Sequence, residues 1–509
     1  MQALRISDER PVIVVGAGVA GLAAAIDLSV HRLPTLVLDA ADRPGGKMRR
    51  AALGPESFDA GPTVLTMRWV FEELFADAGL AFAEHVDTRP ADILARHAWP
   101  DGQTLDLHAD PALSSAAIAR FAGAAEGRRF LRFCAEARAT YCALERDFIR
   151  AQRPSMPALV RRIAAKRCAD LLAIRPFENL WRALGRNFRD PRLQQLFGRY
   201  ATYCGSSPYR APATLMLVAH VEQAGVWLAE PGMYALAEAM ERVACARGAR
   251  FRYQSPVRRL ERQADGSWCV ELSDGERLQA GAVIASADAA AIARGQLGTD
   301  AAAAAAGAQR LERSLSAVTW LVSAPTRGFA LLRHNVFFSA DYRAEFEAIF
   351  GRGRLPDDPT IYVCAQDRGA SMADAAAAPR ERGHERLLCL VNAPADGDRP
   401  DALAAEAGDA SRASARIFDL LARFGLHLER GTARIQQLTP AGFELLYPGS
   451  GGALYGSASH GWRASFQRPA AASALPGLFL AGGSVHPGPG VPMAALSGRL
   501  AAQRVMAAA

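Results

Sequence analysis

Lysine is almost missing from this chain: Lys47 and Lys166 are its only two, and every other basic side chain is arginine or histidine. The eight cysteines, at 134, 142, 168, 204, 245, 269, 364 and 389, include no C-x-x-C and have no histidine at ligand spacing. That scatter argues against a metal site and for reduced structural thiols in a cytosolic compartment. No apolar run reaches the ~18 residues of a spanning helix, and no signal peptide precedes the first strand, so any membrane contact is expected from one side. The net charge of +7, with a pI near 9.1, permits attraction to anionic surfaces. No Lys/Arg block is interleaved with aromatics as a nucleic-acid groove requires, so nucleic acid is set aside as a partner. The chain has 509 residues, half of them hydrophobic and 22% charged, as expected of two or three globular domains with a sizeable core.

The strongest local pattern is Pro11–Lys47, PVIVVGAGVAGLAAAIDLSVHRLPTLVLDAADRPGGK. Val12–Val15 has the length and β-branched content of a strand buried on both faces. Gly16, Gly18 and Gly21 form G-x-G-x-x-G, and Leu22–Leu28 continues as an apolar helix. Gly16 permits the tight turn, Gly18 lets the backbone approach a pyrophosphate, and Gly21 lets the helix pack close to the strand. The helix N-terminus offers unpaired N–H groups to phosphate. A second buried strand, Thr35–Leu38, ends on Asp39, which is placed to bond a ribose hydroxyl. Gly45-Gly46-Lys47 then brings a second glycine turn and a compact cation to the same pyrophosphate, a pattern that favours FAD over NAD.

Beyond this segment, the strand-turn Phe58–Thr66 is expected to carry Gly61, Pro62 and Thr63 past the flavin ring. Residues 90–229 read as a mainly helical insertion. Within it, Asp147–Asp190 carries ten basic residues against four acids, a local balance of +6, with Trp and Phe among the apolar residues between them. That combination fits a basic amphipathic segment lying in a membrane interface. Asp265-Gly266 and Asp274-Gly275 mark hairpin turns between short strands. Val257 is the candidate for covering the adenine, Asp288 reads as a helix N-cap, and His334, beside aromatics, reads as a structural histidine. A helix is expected over Ala402–Phe424. Near the C-terminus, the buried strand Leu478–Ala481 runs into Gly482-Gly483-Ser484, followed by the helix after Pro492. This second turn, with Gly483, Ser484, Val491, Pro492 and Met493, is expected to face the flavin pyrimidine edge.

With these motifs in place, the chain resembles the carotenoid desaturases of the phytoene-dehydrogenase type, a branch of the FAD-dependent amine-oxidase-like superfamily. The resemblance runs nearly end to end, through VIVVGAGVAGLAAA, DRPGGK, FDAGPTVLT, GVWLAEPGM, HNVFFS and GLFLAGGSVHPGPGVPM. The forms GPTVLTMRWVFEELFADAG and GGSVHPGPGVPMAALSG look most like the 1-hydroxycarotenoid 3,4-desaturases of purple photosynthetic bacteria. Two positions depart from the superfamily: Asp39 stands where Glu is usual, and Ser484 where many members place an acid.

The resemblance implies an α/β fold, α+β overall, with a Rossmann-type FAD-binding domain, a discontinuous substrate domain and a helical membrane-associating region. The expected division is 1–89, 230–290 and 431–509 for FAD, 90–229 for the helical region and 291–430 for substrate. It further implies an acyclic hydroxylated or methoxylated carotenoid substrate and oxygen or a quinone as electron acceptor. The expected location is the cytoplasmic side of the inner or photosynthetic membrane. Because the polyene itself delocalises cationic charge, no strong protein base is required, and Asp147 and Arg150, at i,i+3, are the best polar candidates. Two other readings compete: an amine oxidase, against which the missing aromatic cage and flavin-tethering cysteine count, and a non-redox lipid carrier, which has no use for the flavin turns.

Overall fold

Five short strands lie parallel in the order Leu478–Leu480, Ala282–Ala285, Val12–Val15, Thr35–Leu38 and Arg250–Arg252. Val12 stands in register with Thr35 on one side and Ala282 on the other. The computed structural model describes residues 4–153, 177–370, 383–399 and 414–509. The centre of the basic segment, 154–176, and the first half of the helix expected over Ala402–Phe424 lie outside the described residues.

The three inner strands are buried throughout, and their period-2 alternation feeds two separate cores. Val12, Val14, Val37 and Ile284 pack against the helices Val19–Val30, Tyr234–Ala246 and Val491–Met506. Ile13, Val15, Leu36, Leu38 and Val283 face the other way, onto Leu260, Trp268 and Val270 of a three-stranded antiparallel sheet. That sheet, Val257–Arg262, Trp268–Leu272 and Arg277–Ala280, turns at the two Asp-Gly pairs as expected. Each fully buried aliphatic side chain in this sandwich contributes about 1.5–3 kcal/mol, so the layer order follows from burial.

The second sheet has seven strands, in the order Arg434–Leu438, Ser316–Ala324, Glu385–Ala393, Ile361–Ala365, His334–Phe337, Ile93–Ala98 and Thr104–His108. All neighbours are antiparallel except His334–Phe337 with Ile93–Ala98. Two elements differ from expectation. The segment read as mainly helical opens with two strands, and Arg434–Leu438, grouped by sequence with the nucleotide half, pairs with Ser316–Ala324. Strand pairing is non-local, so composition around either segment carries no sign of its partner. Phe58 and Ala60 pack on Leu321, Cys364 and Leu388 of this sheet, which seats the Phe58–Thr66 turn between the two halves. Beyond it, the helices Pro111–Ala122, Ala124–Leu144, Leu180–Asn187 and Pro191–Gly198 close one side, with Asp110, Asn179 and Asp190 capping three of them. Among the described residues no helix is long and apolar enough to cross a membrane.

The helix Tyr342–Phe346 carries a buried acid. Glu345 accepts from the Thr360 N–H at 3.1 Å and from the Thr360 and Ser339 hydroxyls at 2.7 and 2.9 Å. Burial outweighs these bonds and pushes its pKa up to about 7. A carboxyl raised in the folded state contributes stability at low pH, and that contribution is lost as pH climbs from about 4.5 to about 7. The difference is worth about 3 kcal/mol as an upper bound. The melting temperature is expected to fall between pH 5 and pH 8, and Glu345→Gln should flatten that slope; an unchanged slope in the variant would refute the assignment.

Candidate functional site

The C-terminal edges of the parallel strands gather three glycine turns. Gly16, with φ of 104°, ends the first strand, and its N–H donates to the Leu38 carbonyl at 2.7 Å. Ser286, at the end of Ala282–Ala285, donates its N–H to Val15 O at 2.8 Å and sits beside both Gly16 and Gly482. A Cβ on Gly21 would overlap the Gly16 carbonyl oxygen and lie 3.2 Å from Val14 Cγ1, so the helix approaches the strand as closely as a bare backbone allows. Gly18 is the N-cap of Val19–Val30 and no side chain caps that helix, which leaves its first N–H groups facing the turn. The Gly45 N–H donates to Ala17 O at 2.9 Å, and Gly46 lies against Gly18, so the second glycine turn closes onto the first. The helix Val491–Met506, with Pro492 in its first turn and Gly490 as N-cap, is likewise uncapped by any side chain.

The acid expected to read a ribose also bonds backbone. Asp39 accepts from the Ala17 N–H at 2.5 Å and from the Ala41 N–H at 2.7 Å, bracing the glycine turn from the next strand. Gln254 and Ser255 donate their N–H groups to Ala41 and Asp39 carbonyls at 2.8 Å, which sets Val257 just beyond this corner, packed against the core shared with Val15 and Leu38. Asp288 caps the helix Ala289–Ala293 by accepting from the Ala290 N–H at 2.8 Å, and Ser484 accepts from the Ala289 N–H at 2.9 Å. Ser484 therefore ties the C-terminal turn to that helix start.

Two buried cations stand behind these turns. Lys47 Nζ donates to the carbonyls of Ala453 and Leu454 at 3.2 and 2.9 Å. Burial lowers its pKa, against the pull of Asp288. Arg468 donates to Tyr455 O, Gly483 O and Ser457 O at 3.2, 3.1 and 2.6 Å. Burial brings its pKa down to about 10, with Cys204 and Asp288 opposing. Both bond carbonyls rather than carboxylates, so positive charge is held in low dielectric beside two uncapped helix starts. That donor set suits a diphosphate. Arg468 carried no signal in sequence, because its three carbonyl partners belong to distant turns.

The expected flavin-facing turn is held on both sides. A Cβ on Gly61 would overlap the Lys47 carbonyl oxygen, and Thr63 Oγ1 bonds Tyr362 OH at 2.7 Å. Asp59 accepts from the Met233 and Tyr234 N–H groups at 2.6 and 3.2 Å, and Leu65 exchanges backbone bonds with Trp227. The motifs FDAGPTVLT and GVWLAEPGM are thus one unit. Gly61, Pro62, Thr63 and Val64 are each half-buried. Lys47, Arg199, Tyr203, Cys204, Tyr362 and Tyr455 are surrounded by protein yet keep part of their surface open.

The two catalytic candidates stand elsewhere. Arg150 is exposed, pairs with Glu73 at 2.9 and 3.0 Å and with Glu145 at 3.2 Å, and lies 3.9 Å above the Trp69 ring. Those contacts make it a surface clamp between two helical segments, in place of the reacting group expected. Asp147 is half-buried on the Glu145–Ile149 turn, one residue before Phe148, whose ring meets His486 edge-on at 5.2 Å.

The model of the flavin containing amine oxidoreductases matches residues 19–506. A hydroxyneurosporene desaturase of Rubrivivax gelatinosus is 50% identical over 497 residues, covering 97% of this chain and 93% of its own length. A second, from Cereibacter sphaeroides, is 43% identical over 497 residues, 97% of each chain. Among solved structures, a putrescine oxidase variant superposes with a TM-score of 0.64 at 14% identity, over 98% of this chain and 99% of its own, a likeness of fold. The glycine turns, the uncapped helix starts and the two cations behind them fit the flavin that this family carries. The chain belongs to the flavin-containing amine oxidoreductase family, in its branch of carotenoid desaturases acting on CH–CH groups.

Proposed function

We propose that the protein is an FAD-dependent desaturase that introduces the C-3,4 double bond into acyclic 1-hydroxy or 1-methoxy carotenoids, on the path toward spheroidene or spirilloxanthin. The observation that carries this reading is that the turn expected to face the flavin meets the seven-stranded sheet through the Thr63–Tyr362 bond, in a chain 50% identical to a hydroxyneurosporene desaturase. Val64, Tyr203 and Tyr362 there pack against one apolar cluster, a setting that suits a long apolar molecule with one polar end. Desaturation removes a hydride from one carbon and a proton from its neighbour, and a bound flavin supplies the hydride acceptor. The chain's own part is to hold the dinucleotide on Gly16–Gly21 and Gly45–Lys47, to set the polyene against the Gly61–Val64 turn, and to keep water out. The conjugated substrate spreads the developing positive charge, which accounts for a site without a strong acid–base pair.

The same reading places the protein peripherally on the cytoplasmic side of the inner or photosynthetic membrane, held by the basic segment 147–190, with oxygen or a quinone taking the electrons. Its support is the sequence of that segment. The test is a paired assay of purified protein with FAD and anionic liposomes, one arm holding 1-hydroxyneurosporene and the other phytoene. Lengthened conjugation in the first arm alone is the expected result, with the protein sedimenting alongside the liposomes. Conversion of phytoene instead would move the protein to an earlier desaturation, and protein left in the supernatant would overturn the membrane reading.

A further inference from the structure

Two polar groups stand against one apolar cluster. In the first, Tyr203 donates to Glu222 Oε1 at 2.5 Å, Tyr200 donates to Glu222 Oε2 at 2.6 Å, and Arg199 Nη2 donates to Tyr203 OH at 3.2 Å. In the second, Tyr362 OH bonds Thr63 Oγ1 at 2.7 Å and His334 Nδ1 at 2.8 Å. Val64, Tyr203 and Tyr362 pack against one apolar cluster, and Arg199 and Tyr203 both act electrostatically on Tyr362, so the two groups lie close together. Apart from Thr63, which lies on the turn expected to face the flavin, neither group belongs to the glycine turns. Two buried atoms in them, Arg199 Nε and His334 Nε2, have no hydrogen-bond partner in the protein.

The chemistry of these groups defines what they accept. The positive charge of Arg199 faces the carboxylate of Glu222 through Tyr203, so the nest is electrically balanced and suits a neutral ligand. Burial, with Arg333 and Arg199 nearby, holds the His334 pKa down to about 3, which keeps that ring neutral as well. The hydroxyls of Thr63 and Tyr362 spend only part of their bonding capacity on each other and on His334, leaving a lone pair or proton for a guest. Thr63 belongs to the turn read as facing the flavin, which sets this polar end close to the reacting carbons.

We infer that Thr63, Tyr362 and Tyr203 form a specificity-determining pocket for the terminal hydroxyl of the polyene. The inference rests on the proposed reaction and deepens it. An oxygen on C-1 lies three bonds from C-3, so a desaturation at C-3,4 brings that oxygen near the reacting centre, where these hydroxyls stand. An apolar tunnel alone discriminates weakly against a substrate lacking one oxygen, whereas a site built to bond a hydroxyl rejects the analogue strongly, because its own polar groups are left unpaired.

The experiment compares wild type, Tyr362→Phe and Thr63→Val on 1-hydroxyneurosporene and on the same polyene without the hydroxyl. Both kcat/KM and binding, read from the shift of the polyene absorption band, are measured. Retained flavin absorbance and melting temperature identify folded variants, and Thr63→Val, which keeps the side-chain volume, covers a failure of the tyrosine variant to fold. Each substitution is expected to lower the preference for the hydroxylated substrate at least about tenfold, chiefly through KM and binding. A ratio that stays constant while both rates fall together would make the nest structural only and overturn the inference. Wild type that binds the hydroxylated polyene more tightly yet desaturates neither substrate would overturn the reaction and leave the pocket standing. Equal binding of both polyenes by wild type would overturn the pocket.

Discussion

Replacing Gly21 by alanine is expected to destabilise the protein by about 3 kcal/mol or more and to leave it without bound flavin. A Cβ there would overlap the Gly16 carbonyl oxygen and crowd the Gly16 carbonyl carbon at 3.1 Å and Val14 Cγ1 at 3.2 Å. The atoms met first are backbone of the turn itself, so nothing can rotate away. Relief comes only by moving the helix off the strand, which shifts the N–H groups at Gly18 and Val19 out of line with a diphosphate. The helix Val19–Val30 is also wedged from behind: a Cβ on Gly498 would overlap the Ala20 carbonyl oxygen. Thermal unfolding and the flavin absorbance of the purified variant measure the two effects. A variant that keeps its flavin and melts within about 1 kcal/mol of wild type would show that the helix has room the geometry denies.

The second large effect is expected at Arg468. Arg468→Met keeps most of the side-chain volume but removes the donors to Tyr455, Ser457 and Gly483 carbonyls, leaving three half-buried acceptors without them. Each lost bond of this kind costs about 1–3 kcal/mol, so a loss of about 3 kcal/mol or more is expected, together with a weaker hold on the cofactor. The cofactor effect has a distinct cause. Gly483 lies in the C-terminal glycine turn, and the guanidinium adds positive charge beside the turn expected to face the flavin. Arg468→Lys should recover part of the flavin affinity, because the charge returns, and less of the stability, because one ammonium cannot span three carbonyls in the planar fork geometry. Titrating FAD into the apo forms of all three proteins decides it. Equal affinities would show that Arg468 only braces the turns.

The two halves of the molecule differ in how far sequence reveals them. The order strand, Gly-rich turn, helix, strand, Asp39 is local, and each step follows from burial or backbone sterics acting within a few tens of residues. The N-cap at Asp288 and the hairpins at Asp265-Gly266 and Asp274-Gly275 are local in the same sense, and the structure places all three as expected. Asp39 also accepts from the Ala17 N–H, a bond that ties the second strand to the glycine turn and that spacing alone does not reveal.

The sequence by itself therefore determined the nucleotide half: its buried strands, its glycine turns and the family they belong to. Tertiary structure decided what lies across from them. It paired residues 93–108 and 434–438 into the substrate sheet, turned Arg150 outward onto Glu73, and brought Arg468 under the C-terminal turn. It also joined Thr63 to Tyr362, 299 residues further along the chain, and through it to His334. The physical reason is the same in each case. A glycine's job is set by its own backbone, whereas a buried cation or hydroxyl takes its meaning from partners that only folding brings within bonding distance.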